Sequence, residues 1–333
     1  MLVGLPLLLA AVAPPAKIAV VGATGRVGRQ AVQQLVERGY QPRLLLRKPI
    51  NQALPKTEGP PKPDADTAAV AAWLAALPGV ETVRGDVTDR ASCDALLSGC
   101  VACLALHGAR RTRKLSDLWS DPEADPGHAK RVNYQGVANL IGAARASGTC
   151  KRIVRLTGKG ETPWSIFSIL INGLGSMAKA WNYEGERLLR EADDLEYTIV
   201  RPGVMRGEES ELPANSLALA DDGGDLKVTS IPHSTIARLT IDSLTYANAG
   251  RCTLCAMASE EPGQGADTWL PLLQEVQPDR RAFRDDLLPE HFKAVRLGGG
   301  AIVAALATLA AGALLGIKAL LGSLIGLVAS KLR

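Results

Sequence analysis

The sequence of 333 residues predicts an α/β protein built on a doubly wound parallel sheet. Two observations lead to this class. Short apolar runs rich in β-branched residues alternate with amphipathic runs along most of the chain, and the first apolar run is followed directly by a glycine turn and a helical pattern. Since strands that alternate with helices form parallel sheets, we expect helices to cover both faces.

The order of the expected elements follows from the same pattern. In the first half, strands are predicted at Lys17–Val21, Pro42–Leu46, Glu81–Arg84, Val101–Leu106 and Arg152–Thr157. Helices are predicted at about Arg26–Arg38, near Thr67–Leu77, after a cap at Thr88 or Asp89, and at about Ala129–Ala146. The second half adds a long helical region and a further helix, at Ser165–Glu191 and Ser234–Ala247. Its strands are predicted at Glu196–Val200, Leu226–Ser230 and Arg251–Ala256.

Composition divides the chain into four expected parts. These are an apolar leader (1–16), a main domain with a small C-terminal lobe (17–260), a charged connector (261–296) and an apolar tail (297–333). The leader lacks a basic start, and its Ala11-Val12-Ala13 end faintly resembles a signal-peptidase site. It is interpreted either as a targeting remnant or as a lead-in to the first strand, and both interpretations remain open.

The tail has the composition of a membrane helix. Leu297–Ile317 is uncharged and, at 21 residues, long enough to cross a bilayer core of about 30 Å. The pairs Gly312/Gly316 and Gly322/Gly326 have the small-xxx-small spacing that lets membrane helices pack closely. We therefore expect a C-terminal membrane anchor, with lipid and other transmembrane helices as partners. The alternative is a buried alanine-rich helix.

Charge and cysteine usage exclude some classes of protein. The net charge is only +4, no basic block stands out and aromatic residues make up 4% of the chain, so nucleic acid is not an expected partner. Two Cys-x-x-Cys pairs, Cys100/Cys103 and Cys252/Cys255, resemble metal or redox motifs. Because Cys100–Leu106 and Arg251–Met257 both look like buried strands, in which residues i and i+3 face opposite ways, we expect core cysteines and no metal site.

The glycine turn carries the main functional prediction. Gly22, Gly25 and Gly28 stand between a predicted strand and a predicted helix. This spacing permits a tight turn, a close approach of the backbone to a pyrophosphate and close packing of the helix on the strand. The N–H groups at the start of the helix then face the anion. The segment therefore predicts a bound dinucleotide.

The residues after the second strand bear on which dinucleotide is bound. An NAD-specific site places an acid there to bind the ribose hydroxyls. This chain instead has Arg47 and Lys48, which can pair with a 2′-phosphate. NADP(H) is therefore favoured over the alternative, NAD(H).

Several motifs in sequence order resemble one family. Val20–Gly28, Arg84–Asp89, Val132–Gly136 and Tyr197–Gly203 look like the atypical, extended-type short-chain dehydrogenase/reductases of the NmrA-like, NAD(P)-binding group, over about Lys17–Ser259. The resemblance implies a Rossmann sheet with a small substrate lobe. It implies pyrophosphate contacts at Gly22, Thr24, Gly25, Arg26, Val27 and Gly28, adenine contacts at Asp86 and Val87, and contacts near the nicotinamide ribose at Leu106, His107 and Gly108.

The catalytic residues depart from the family pattern. Oxidoreductases of the family use a Ser or Thr after strand five, where this chain has Thr157, and a Tyr-x-x-x-Lys on the next helix, which it lacks. Ala178 and Asn182 fall at the two expected places. Lys179 and Tyr183 offer the pair in reversed order and share a helix face, so they remain candidate catalytic residues with Thr157.

His107 is an alternative proton donor, because it follows a strand at the end where doubly wound sheets bind ligands. Another open feature is the apolar stretch Asn172–Ala180 with Trp164, Phe167 and Trp181 around it, which indicates a substrate pocket, a membrane contact or core packing.

Two functional hypotheses result. The first is an NADP(H)-binding scaffold, assembly factor or redox-sensing subunit of a membrane complex, favoured by the missing Tyr-x-x-x-Lys. The second is an anchored NADPH-dependent reductase of a lipophilic substrate such as an isoprenoid, quinone or pigment precursor. By analogy with anchored members of the family, the expected location is a membrane and the favoured organelle a plastid, at its thylakoid.

Overall fold

The computed structural model describes residues 13–47, 65–109, 125–207, 216–259 and 270–301, together with 304, 308 and 309. In this part of the chain an eight-stranded sheet has the order β3 (Glu81–Arg84), β2 (Gln41–Leu46), β1 (Lys17–Val21), β4 (Ala102–Ala105), β5 (Arg152–Leu156), β6 (Glu196–Pro202), β10 (Cys252–Ala258) and β8 (Leu217–Ala220). All neighbouring pairs are parallel except β10 with β8. The reversal of strand order between β1 and β4 creates the crevice in which doubly wound sheets bind ligands. The predicted parallel α/β sheet is therefore found.

The strands have these bounds: β1 Lys17–Val21, β2 Gln41–Leu46, β3 Glu81–Arg84, β4 Ala102–Ala105, β5 Arg152–Leu156, β6 Glu196–Pro202, β7 Val204–Met205, β8 Leu217–Ala220, β9 Ser230–Ile231 and β10 Cys252–Ala258. The α-helices are α1 Arg26–Glu37, α2 Thr67–Ala75, α3 Arg90–Leu97, α4 Gly136–Ser147, α5 Ile166–Leu174, α6 Ala178–Arg190, α7 His233–Thr245 and α8 Leu270–Glu275. A π-helical turn over Lys130–Gln135 leads into α4.

Alternation along the strands assigns each helix to a face of the sheet. Ile18 and Val20 of β1 lie in a core formed with α1, α2 and α7, whereas Ala19 and Val21 lie in a core formed with α3, α4 and α6. These four side chains are at most 3% exposed. Burial on both faces explains why the strands read as continuous apolar runs.

All six cysteines have free, buried thiols, and all but Cys255 belong to these two cores. Cys103 is in β4, and Cys252 and Cys255 are in β10. Burial raises the pKa of Cys93 to about 12 and that of Cys100 to about 11. Such thiols are protonated at neutral pH, as expected of core residues. In the described part of the chain, no cluster of His, Cys, Asp and Glu is arranged to hold a metal.

The long helix predicted over Ser165–Glu191 is two helices. Ser176 and Met177 between α5 and α6 adopt left-handed backbone angles, with φ of 53° and 59°. The side chain of Asn172 supports this break, because its Oδ1 accepts hydrogen bonds from the backbone N–H groups of Lys179 (3.0 Å) and Ala180 (3.2 Å). An amide from α5 thus caps the start of α6.

The small lobe also differs from its prediction. The strand expected at Leu226–Ser230 is reduced to the two residues of β9, which pair with β7. The edge strand β8 was not predicted, because its sequence, Leu217–Ala220, is short and lacks polar alternation.

The C-terminal helix corrects the prediction of a membrane anchor. A helix begins at residue 287, and its described part continues to residue 301. Its buried side chains share one face, at Leu287, His291, Ala294 and Val295. Val295 packs in one cluster with Met177 and Trp181. The first residues of the apolar tail therefore extend an amphipathic helix that docks on the domain.

No helix in the described residues is both apolar enough and long enough to cross a bilayer. The predicted C-terminal membrane helix and the membrane location, with its plastid assignment, are therefore wrong. The prediction was based on a count of apolar residues in the tail, and such a count does not show that the tail continues the helix that begins at residue 287 and packs on the domain. The pairs Gly312/Gly316 and Gly322/Gly326, and residues 1–12 of the leader, lie outside the described residues. The four-part division of the chain stays a prediction.

Replacing Asn172 by alanine is expected to lower the free energy of unfolding by about 2–4 kcal/mol, because it removes the cap of α6 and a buried partner of His291. Urea denaturation measures the change. The matched control is Asn248→Ala, since Asn248 is exposed and donates only to the carbonyl of Gln274. It should lose about 1 kcal/mol or less. Equal losses in the two variants would contradict the capping role.

Candidate functional site

The predicted glycine turn forms a tight cradle at the end of β1. Gly22 has a φ of +84°, and a Cβ there would lie 2.7 Å from the backbone nitrogen of His107. A Cβ at Gly28 would lie 2.1 Å from the carbonyl oxygen of Gly22. The N–H of Gly25 donates to the same carbonyl at 3.0 Å. Only glycine fits at 22 and 28, so the packing of β1, α1 and the loop after β4 depends on both residues.

The start of α1 has the properties of an anion site. Gly25 is its N-cap residue, no side chain caps its first turn and no acidic residue lies in that turn. Gly25 and Arg26 are exposed, Thr24 is half-buried, and Val27 is buried beneath them. Backbone N–H groups and the positive end of the helix dipole therefore face an open edge of the sheet. The predicted pyrophosphate contacts lie together at this edge.

The residues predicted for the adenine end lie after β2 and β3. The carboxylate of Asp86 accepts hydrogen bonds from the N–H and the hydroxyl of Thr88, both at 2.9 Å, which fixes the turn after β3. Val87 is buried, and its carbonyl accepts a hydrogen bond from Asn139 at 3.0 Å. Arg47 is exposed directly after β2, whereas Lys48 lies outside the described residues. The parallel pairing of β2 and β3 places these turns side by side.

His107 closes the crevice on the β4 side, between half-buried Leu106 and exposed Gly108. Its Nδ1 faces a guanidinium nitrogen of Arg155 at 3.3 Å, and its Nε2 faces the carbonyl of Val132 at 3.2 Å. Since arginine only donates, Nδ1 accepts and Nε2–H donates. Burial and the charge of Arg155 hold the pKa of His107 well below its usual range. The imidazole is therefore neutral with both nitrogens engaged, which does not suit the proton donor suggested by the sequence.

Asn133 connects the loop after β4, which carries His107, to the start of α6 by hydrogen bonds. Its Oδ1 accepts a hydrogen bond from the N–H of Ala109 at 2.9 Å, and its Nδ2 donates to the carbonyl of Ala178 at 3.2 Å. The residue is 1% exposed and lies in the π-helical turn. Such turns are frequent at functional sites. Asn133 lies within the motif Val132–Gly136, but the sequence pattern gave no role for its side chain.

Thr157 follows β5 as predicted, but its hydroxyl is engaged within the protein. It donates to Oε1 of Glu186 at 2.6 Å. Glu186 also forms ion pairs with Arg201 and Arg190, and both Glu186 and Arg201 are fully buried. Burial alone would raise the pKa of the Glu186 carboxyl, but Arg201, Arg190 and the Thr157 hydroxyl hold it below its usual value. Thr157 therefore donates to a permanent carboxylate.

Tyr183 and Lys179 point to different parts of the protein. The Tyr183 hydroxyl, fully buried, donates to the carbonyl of Arg284 at 2.8 Å, and burial together with Glu161 raises its pKa to about 12. The Lys179 amine donates to the hydroxyl of Ser168 in α5. Burial and neighbouring cations lower the pKa of Lys179 to about 8. The structure does not pair the two residues as a proton donor and its supporting base.

Arg155 is a central residue that sequence reasoning missed. It lies in β5 and is fully buried, and its Nη1 donates to the carbonyls of Ala105 (2.9 Å) and His107 (2.6 Å). Its Nη2 donates to Oδ1 of Asn182 at 2.9 Å. Burial lowers its pKa to about 10, so it is a cation at neutral pH. The signal in the sequence was a second arginine, beside Arg152, within a short strand pattern whose other residues are apolar.

Comparison with known proteins identifies the class. A family model described as NAD(P)H-binding matches residues 22–247, more than half of the chain. The chain belongs to this NAD(P)H-binding family. The NAD(P)-binding family and the Rossmann fold that the resemblance implies are confirmed, and so is an NAD(P)(H) dinucleotide as the cofactor. No curated protein matches the chain.

Solved structures share the fold at low sequence identity. A short-chain dehydrogenase/reductase from Veillonella parvula, in complex with NADP, is 13% identical, covers 76% of this chain and 98% of its own, and has a TM-score of 0.52. A Bacillus halodurans protein described as an NAD-dependent epimerase/dehydratase is 16% identical, with coverage of 78% and 100% and a TM-score of 0.55. An oxidoreductase from Lactococcus lactis is 17% identical, with coverage of 78% and 95% and a TM-score of 0.51.

Two histidines, half-buried His107 and buried His291, predict loss of stability in mild acid. Burial lowers the folded-state pKa of His107 and of His291 below the usual 6.5. Their stabilising contribution is therefore complete above pH 6.5 and is lost as pH falls below it. Each histidine should cost up to about 1.4 kcal/mol at pH 5.5.

Urea midpoints at pH 7.5 and pH 5.5 measure the effect. The drop should shrink in His291→Gln, which cannot take up the proton. An equal drop in this variant and in the wild type would contradict the assignment to His291.

Proposed function

We propose that this protein binds NADP(H) as a sensing or assembly component and does not catalyse carbonyl reduction. The observation that carries this proposal is the state of its candidate proton donors. Thr157 donates to Glu186, Tyr183 donates to the backbone of Arg284, and His107 is held neutral with both nitrogens engaged. The proposal covers a redox-sensing subunit and a scaffold alike, because both need the ligand and neither needs a proton donor.

The geometry of the cradle supports the cofactor part of this proposal. Gly22 and Gly28 leave no room for a Cβ, and the uncapped first turn of α1 is free of acidic residues. When bound, the dinucleotide supplies a hydride, and reduction of a carbonyl then requires a proton from a protein group. This chain's residues fit the binding of the dinucleotide, whereas each of its predicted proton donors already has a partner.

Arg47 supports NADP(H) over NAD(H). It is exposed directly after β2, where an NAD-specific site would place an acid. A guanidinium at this position can bind a 2′-phosphate through charge-assisted hydrogen bonds.

A reductase of a lipophilic substrate is the second candidate, because one apolar surface favours it. Trp164, Ile166 and Phe167 at the start of α5 are 50%, 68% and 61% exposed. The Lys179 amine lies 5.8 Å from the Phe167 ring, and its pKa of about 8 would let it exchange a proton near neutrality. A substrate bound at this surface would therefore find an apolar wall and one titratable group.

Turnover measurements separate the two candidates. The full chain is mixed with NADPH and with a panel of quinones and isoprenoid carbonyl compounds, while binding is followed by nicotinamide fluorescence and oxidation by absorbance. We expect saturable binding without substrate-dependent oxidation. The control is Gly25→Val, which adds bulk at an exposed position 3.2 Å from the Gly22 carbonyl and should abolish binding with the fold retained. Oxidation by the wild type that disappears in this variant would establish the reductase.

Arg47→Gln tests the choice of dinucleotide. It should weaken NADPH binding about tenfold, because it removes a charge-assisted contact to the 2′-phosphate, and leave NADH binding unchanged. Titration of both dinucleotides into wild type and variant measures this. A similar loss for NADH and NADPH would show that Arg47 does not read the 2′-phosphate.

A further inference from the structure

A line of hydrogen-bonded side chains runs from the surface of α5 to the start of α6. The exposed Ser165 is the N-cap residue of α5, and its hydroxyl donates to that of Ser168 at 2.8 Å. The Ser165 oxygen also accepts the N–H of Ser168 at 3.1 Å, which holds it at the helix start. Ser168 is fully buried, and its hydroxyl accepts from the half-buried Lys179 amine. An exposed hydroxyl is therefore connected to a lysine through one buried hydroxyl.

Lys179 has the surroundings of a base. It takes part in none of the ion pairs among the described residues. The ionisable groups that act on it are the cations of Lys159 and Arg201, and it acts in turn on His291 of the C-terminal helix. Burial, followed by these two cations, lowers the pKa of Lys179 to about 8. Part of the amine is therefore neutral near neutral pH, and a neutral amine accepts a proton.

The position of Ser165 is that of a nucleophile, because it is exposed and its proton has a path to this base. When Lys179 is neutral, the Ser168 hydroxyl can donate to the amine and accept from Ser165 at the same time. An adjacent base activates a serine hydroxyl in this way. The N–H groups of Ile166 and Phe167, the first in α5, have no partner within the helix. They and the positive helix end stabilise negative charge that develops beside Ser165.

The side chains around Ser165 indicate which substrate this site would take. Trp164, Ile166 and Phe167 flank it in the chain, and all three are exposed. Leu170, one helical turn beyond Ile166, extends the apolar surface and is also exposed. Because apolar groups gain free energy when they leave water for such a surface, an apolar acyl chain can lie along α5 with its carbonyl carbon at Ser165.

We propose that Ser165, Ser168 and Lys179 form a second site in this protein, which hydrolyses carboxylic esters of apolar acyl groups. The inference goes beyond the proposed function and does not require the dinucleotide to be bound. It assigns Ser165 as the nucleophile, Lys179 as the base and Ser168 as the residue that connects them.

The reaction balances with water as the only co-reactant. The Oγ of Ser165 bonds to the acyl carbon while its proton passes to Ser168, whose own proton passes to the Lys179 amine. The bond from the acyl carbon to the alcohol oxygen then breaks, and the proton returns from Lys179 through Ser168 to the departing alkoxide. Water hydrolyses the acyl-serine. One ester and one water thus give one acid and one alcohol.

Labelling of the full chain tests the nucleophile. A fluorophosphonate probe, which reacts with activated serines and stays attached, is added at pH 8.5, and mass spectrometry locates the label. We expect the label on Ser165. Absence of a label there, or a label on another residue alone, would overturn the inference. Hydrolysis of p-nitrophenyl acetate and p-nitrophenyl octanoate then tests the substrate class. The octanoate should be the better substrate, and equal rates for the two esters would contradict the role of the apolar surface.

Two conservative variants test the roles of the side chains. Ser165→Asn keeps the helix cap, because asparagine is a good N-cap residue, but has no hydroxyl. Lys179→Arg keeps the positive charge, but arginine does not release its proton. Each should lower the rate of ester hydrolysis about 100-fold or more. The matched control is Lys130→Met, since the Lys130 amine lies 5.8 Å from the Trp181 ring, as far as that of Lys179 lies from the Phe167 ring. Its rate should equal that of the wild type.

The pH profile separates a base from a residue that only supports the structure. Since the neutral amine of Lys179 is required, the rate should rise with pH up to about 8 and level off above it. Lys179→Arg should leave a residual rate without this inflection, and Ser168→Ala should do the same because it breaks the line between Ser165 and the amine. A wild-type rate and profile in either variant would refute the assignment.

Discussion

The buried ion pair between Glu186 on α6 and Arg201 on β6 organises the C-terminal end of the sheet. Both side chains are fully buried, so neither charge has access to water. Arg190 adds a second contact to Glu186, and the Phe283 ring lies 4.1 Å from the Arg190 guanidinium and 3.9 Å from that of Arg281. Removing one partner of such a pair costs about 3–5 kcal/mol, because the remaining charge stays buried and unpaired. The segment after α8 is held against α6 through these contacts.

The same contacts that stabilise this region occupy the groups that chemistry would need. The Thr157 hydroxyl donates a hydrogen bond to Glu186, and the Tyr183 hydroxyl donates one to the backbone carbonyl of Arg284. In a reductase of this fold, a hydroxyl in the crevice must be able to face the substrate oxygen. Here the hydroxyls of Thr157 and Tyr183 donate to groups within the protein. These hydrogen bonds stabilise the fold at the expense of groups that could face a substrate.

The parts of the fold that depend on local pattern could be predicted from the sequence. Strand periodicity and the spacing of Gly22, Gly25 and Gly28 were sufficient to predict the sheet and the cradle, because a tight turn from a strand into a closely packed helix requires glycines at this spacing. The break between α5 and α6 was not predictable, because Asn172 caps α6 from another helix. Arg155 was missed for a similar reason: its partners, the carbonyls of β4 and Asn182, come together only in the folded protein.

Under the proposed function, cofactor binding and catalysis are separable in this chain, for a physical reason. The cradle is made of backbone and needs only small residues at a fixed spacing within one strand–turn–helix unit. A proton donor needs side chains that follow β5 and stand on α6 to converge in the crevice, and here Thr157 and Tyr183 donate to other partners within the protein. Arg155 remains in the crevice as a buried cation that forms no ion pair with a carboxylate among the described residues.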